Sequence, residues 1–314
     1  MAIGKRSSLL AVLALALILA AIFTHTTSAT AGNERICSDE TISSGTFSKV
    51  IVGAGTSCTL EGSVVVEGDV LADGAIDVTI SGIRVEGNIE IKNSSGTLLF
   101  IIGSDILGNL KLNHNTVNPG PGDLAIIGNT IGGNVETKRN SVADTIFIGA
   151  CPTRGNVIGG NVTMENNTVD DIQLACNDID GNVAIKANTA STDVRSPGNS
   201  VGGNYTITNN SSTRRFVVGS FIAVRGAELP ANTIQGNLVV KGNTNTLASV
   251  IVGSDPGLDD GNTVSGNLTI KNNSAADEVF VKANAVDGNL KCTGNDPGPT
   301  LAGNTVGGKL DCAD

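Results

Sequence analysis

The chain contains no tryptophan, one tyrosine and two histidines among its 314 residues, and aromatic side chains make up only 3% of it. Sugar platforms stack their ligands on aromatic faces, so a carbohydrate-active enzyme and a lectin both lose their usual contact here. Basic residues are also in the minority, 20 against 30 acidic, for a formal charge of −10. A phosphate backbone is repelled by that balance, which argues against a nucleic-acid partner. No Cys-x-x-Cys occurs, and His114 is the only histidine beyond the N-terminal segment. Neither a structural zinc set nor a histidine-based nucleophile site can be assembled from such a list, and no cofactor is expected.

Helical periodicity is missing too. What recurs instead is a Gly-Asn pair, at Gly87, Gly108, Gly133, Gly160, Gly181, Gly203, Gly236, Gly266 and Gly288, with a degraded tenth copy at Gly308-Lys309. Two residues before each Gly stands a β-branched residue: Val85, Ile106, Ile131, Ile158, Ile179, Val201, Ile234, Val264, Val286 or Val306. Two residues after it come Ile89, Leu110, Val135, Val162, Val183, Tyr205, Leu238, Leu268, Leu290 and Leu310. Spacing by two is the strand period, so each module is expected to hold a strand of about seven residues with one apolar face. Copies 20 to 33 residues apart are too short for a strand–helix–strand unit, and one strand cannot bury its face alone. Stacked in parallel about 4.8 Å apart, they form the ribs of a coil.

Two asparagine columns fit that register, one four residues before the Gly (Asn129 to Asn304) and one seven after it (Asn115 to Asn295). Both are expected to mark corners, where asparagine tolerates a left-handed backbone and can bond to its counterpart in the next coil. The fold class is therefore all-β, a right-handed single-stranded parallel β-helix of about eleven or twelve coils. Residues 32–84 hold a cap and the first degenerate coils, and 85–314 the repeat array continuous with them.

Residues 1–31 read as a signal peptide: Lys5 and Arg6, an apolar run from Leu9 to Phe23, then the small-residue site Ala29-Thr30-Ala31. Cleavage leaves no further membrane span, and an extracellular location follows. The six cysteines fall in neighbouring pairs 21, 25 and 20 residues apart, each about one coil. Stacking brings such pairs within disulfide reach, giving Cys37 with Cys58, Cys151 with Cys176 and Cys292 with Cys312. Insertions at 118–122, 151–155, 191–197, 214–230 and 254–260 are expected to line one edge of the rod, where a specific site would sit.

Catalytic candidates are sparse. Asp170-Asp171, Asp178/Asp180 and Asp259-Asp260 are the close acid sets, each read as a solvated turn. A row of Lys92, Lys138, Lys186, Lys241 and Lys271, five residues after their glycines, is expected to project from one face, where it solubilises the sheet or binds an acidic glycan.

The modules Gly266-Asn-Leu-Thr-Ile-Lys-Asn-Asn273 and Asn304-Thr-Val-Gly-Gly308, with the ending Gly288-Asn-Leu-Lys-Cys-Thr-Gly-Asn-Asp-Pro-Gly-Pro299, resemble a group of secreted bacterial repeat proteins, common in actinobacteria and without an assigned function. The resemblance spans roughly residues 50–314; it implies a right-handed parallel β-helix outside the cytoplasm and brings no catalytic residues. The expected role is a non-catalytic structural or adhesive component of the cell surface or matrix, partnered by itself in head-to-tail filaments or by cell-surface polysaccharide. The alternatives are a polysaccharide lyase or hydrolase on the loop rim and an acidic-glycan-binding module.

Overall fold

A computed structural model describes residues 33–118, 122–222, 228–255 and 257–312; the expected signal peptide lies outside the described residues. All regular structure among these is β, wound into a parallel solenoid of about 12 turns. One turn shows the pattern. Val135–Lys138 forms the first side, Ser141–Ile148 a longer second side with a bend, and Val157–Ile158 a short third side. First-side strands of successive turns stack into one thirteen-stranded sheet, from Glu34–Cys37 to Leu310–Asp311. At about 4.8 Å per strand the rod is roughly 55–60 Å long.

The seven-residue strand expected around each Gly is in fact two strands on two sides. Thr130–Ile131 ends the third side and Val135–Lys138 starts the first, with Gly132-Gly133-Asn134 turning between them. The reason is how closely the turns approach. A Cβ on Gly133 would stand 2.8 Å from the Gly108 carbonyl oxygen, and one on Gly160 2.6 Å from that of Gly133. Glycine recurs because backbone stacks on backbone at this corner.

Inside, the apolar columns run the length of the rod. Side one contributes Val135 over Val162 over Val183, and side two Leu124 over Ile146 over Ile172 over Val194, all with 0–1% of their surface exposed. Tyr205 occupies a column otherwise aliphatic and is wholly buried. Its hydroxyl bonds to that of Ser196, which replaces an apolar residue in the facing column between Leu174 and Val218. Burial pushes the Tyr205 pKa well upward, so the pair stays neutral.

Corners are held by asparagine ladders. Asn115, Asn140, Asn167, Asn188, Asn210, Asn243, Asn273 and Asn295 are buried, and each Nδ2 of the first seven donates to the Oδ1 one turn on at 2.9–3.0 Å. A second ladder, buried as far as Asn284, runs from Asn129 to Asn304 in the same sense. The left-handed backbone belongs to the preceding residue, not to the ladder asparagine. His114, Arg139, Asn166, Ala187, Asn209 and Asn272 all have φ between 52° and 58°. The asparagine is selected for its amide, which must both give and accept inside the wall.

Two readings of the insertions are corrected. Residues 191–196 form part of the paired strand Thr189–Ser196, not a loop. Val117 and Asp123, the strand residues on either side of 118–122, lie at the side-two bend, a different edge from the corner that carries 151–155, Glu228–Leu229 and 257–261. Side two tolerates length at its bend because the register already slips there, two residues in one turn facing one in the next.

Candidate functional site

Outward residues of side one form two columns. The first reads Leu71, Glu90, Lys111, Glu136, Thr163, Ala184, Thr206, Val239, Thr269 and Lys291; the second reads Asp73, Lys92, Asn113, Lys138, Glu165, Lys186, Thr208, Lys241, Lys271 and Thr293. All five lysines of the sequence row thus share one column. Their surroundings differ. Lys92 lies 3.5 Å from Asp73 and 3.7 Å from Glu90; Lys138 lies 2.7 Å from Glu136 and 3.7 Å from Glu165; Lys186 lies 3.5 Å from Glu165. The contact with Glu136 raises the Lys138 pKa, and Asn93 with Lys92 lowers that of Asp73. Lys241 and Lys271 face each other in register and have no acidic partner among the described residues.

The densest charge cluster sits at the side-two bend. Arg195 donates to Asp171 at 2.9 Å and lies 3.5 Å from Asp193, to which Arg214 donates two bonds of 3.0 and 2.7 Å. Register explains the alternation. Asp171, Asp193 and Arg215 occupy one column at the bend, while Arg195 and Arg214 reach in from adjacent positions. Asp193 is wholly buried, and the Arg195 guanidinium lies 5.8 Å over the Phe221 ring. Burial raises the Asp171 pKa, an effect that Arg195 partly offsets; the bond to Asp193 raises that of Arg214.

Every carboxylate here is engaged. Asp170 accepts from the Ser191 hydroxyl, and Asp171 accepts from the Thr192 hydroxyl and the Asp193 amide. A general acid–base pair needs two carboxyls aimed at a common space with a proton to exchange, and this arrangement consumes them in turn-to-turn bonds. It is a girdle that stitches three coils together. The other acid sets are no closer to chemistry. Asp259 is fully exposed, 3.8 Å from Lys282, and Asp178 lies on an outward position of the short third side. No group of three metal-ligating side chains occurs among the described residues.

The bridges Cys37–Cys58, Cys151–Cys176 and Cys292–Cys312 are present, with Cα separations of 5.7, 5.3 and 4.4 Å. Each joins a turn to the next.

Sequence reasoning missed two features. The Asn of the Gly-Asn pair builds a third ladder, on the solvent side, in which each Nδ2 donates back to the preceding turn from Asn289 to Asn88 and finally to Asp69. Its invariance along the array was the available signal. The first coil also turns Arg35 and Glu40 inward, joined at 2.6 Å across the end of the core. Compared with known protein families, curated proteins and solved structures, the chain matches none.

Proposed function

We propose that the protein is a non-catalytic extracellular rod, a structural or adhesive component of a cell surface or matrix. The observation that carries this reading is the set of three turn-to-turn disulfides, a use of cysteine that persists outside the reducing cytosol. The motif resemblance to secreted bacterial repeat proteins and the signal-peptide pattern support the same location. The polar side chains are spent on stiffness: three ladders and the Asp–Arg girdle bind coil to coil and converge on no common space. An inward ion pair at the first coil discourages another strand from adding there, which favours separate rods over head-to-tail filaments.

Light scattering of the non-reduced protein over a hundredfold concentration range, with electron microscopy of the same samples, tests the reading. Single rods of roughly 55–60 Å are expected. Cleavage of a polysaccharide that disappears in Asp259→Asn/Asp260→Asn would replace it with the enzyme reading.

A further inference from the structure

The outer face of side one changes character along the rod. In the turns from Asp73 to Lys186, four acids (Asp73, Glu90, Glu136, Glu165) alternate with four lysines (Lys92, Lys111, Lys138, Lys186). From Thr206 to Thr293 the same two columns hold Lys241, Lys271 and Lys291 and no acid; the next turn brings Asp311 into register with Lys291, where it pairs with Lys309 at 3.5 Å. On a chain of net charge −10, this is a local concentration of positive charge. Like charges directly opposite on neighbouring strands repel, and the first half of the face shows how the repeat can neutralise them. Lys92, Lys138 and Lys186 are half-buried against their acids, and Lys111, though exposed, stands in register between Glu90 and Glu136; Lys241, Lys271 and Lys291 are exposed and make no ion pair among the described residues.

Between them stand Thr206, Thr208, Thr269 and Thr293, half-buried, with no hydroxyl bonded to another side chain. Strands stacked about 4.8 Å apart give the half-face from Thr206 to Thr293 a straight track for an extended ligand. Lysines supply point charges to anionic groups along a chain, and the free hydroxyls match sugar hydroxyls.

We infer that this half-face, centred on Lys241, Lys271 and Lys291, binds a linear acidic polysaccharide through its carboxylates, the rest of the face acting as a neutral flank. The inference rests on the extracellular reading above and gives the adhesive role a ligand class.

The test is affinity electrophoresis of the intact, disulfide-bonded chain through gels containing polygalacturonate, a neutral glucan or poly(glycerol phosphate). Retardation by polygalacturonate alone, weakening as salt is raised, is expected. Lys241→Gln/Lys271→Gln/Lys291→Gln should lose about tenfold or more in affinity. The corresponding lysine-to-arginine triple should retain binding. Lys92→Gln/Lys138→Gln/Lys186→Gln should stay within about twofold, since those lysines are already paired. No retardation, or equal loss in both glutamine triples, overturns the inference; stronger retardation by poly(glycerol phosphate) overturns the carboxylate assignment. Electron microscopy of the same samples separates the two proposals, because rods that fail to bind leave the structural reading standing.

Discussion

At the scale of single residues, position in a ladder determines which chemistry is tolerated. Asn188 donates to Met164 O and Asn210 Oδ1 and accepts from the Asn167 side chain and amide, all at 2.9 Å and out of water. Asn188→Ala leaves those partners unsatisfied and should cost about 3 kcal/mol or more, whereas Asn182→Ala in the solvent-side ladder, where water substitutes, should cost about 1 kcal/mol. Chemical denaturation of the two variants distinguishes them. The ends of the outer ladder follow the same logic: Asp69, which only accepts, stands at its base, and Lys309, whose backbone amide only donates, at its top. Ala187, with φ of 54°, pays a steric cost that glycine avoids at the equivalent Gly242. Ala187→Gly should therefore stabilise by about 1 kcal/mol, read as a higher melting temperature. Asp123 has its pKa raised from 3.8 to about 6, first by burial and then by Asp144. A carboxyl so raised favours the folded state while protonated, fully below pH 3.8 and progressively less as pH rises through 6. Asp123→Asn should thus stabilise by about 2 kcal/mol at pH 8 and very little at pH 3.5, as melting curves at the two pH values would show. The ladder asparagines were legible in the sequence by recurrence; the residue adopting the left-handed backbone was not, because its identity varies through His114, Arg139, Ala187 and Gly242 while its conformation does not.

Among elements, the glycine corner is the least forgiving. Gly160→Ala places a Cβ 2.6 Å from the Gly133 carbonyl oxygen and 2.7 Å from its carbon, so two turns must separate; we expect loss of more than 3 kcal/mol, or no folded protein. Ala-for-Gly at Gly82, which has nothing within 4 Å but φ of 66°, should cost only about 1 kcal/mol. Expression level and melting temperature compare the two. The same corner is why one expected strand became two. Alternation of apolar residues continues through Ile131, Gly133 and Val135, and a period of two carries no mark of where the chain changes direction. Steric contact between turns supplies that mark, and it exists only once the turns are stacked. The long side was hidden for a different reason. Val169 and Ile172, three residues apart, both face inward across a register slip, so no single period runs through it. As for the candidate site, the lysine column was legible from spacing, but its division into paired and unpaired halves depends on neighbours in adjacent turns.

For the whole molecule, stability is a sum over neighbouring turns, and the bridges fall at the first two described turns, the middle and the last. Pulled from its ends, an unbridged coil would unwind by peeling, one turn at a time, each needing only its own row of bonds to break. Here the outermost turn at either end is fastened to the one beneath it. Force cannot begin a peel without first breaking a covalent link, and the load passes to the interior of the rod, where many rows must yield together. Redox state then acts as a mechanical setting: the oxidised rod behaves as a stiff strut, and the reduced one as a ribbon that pays out from its ends.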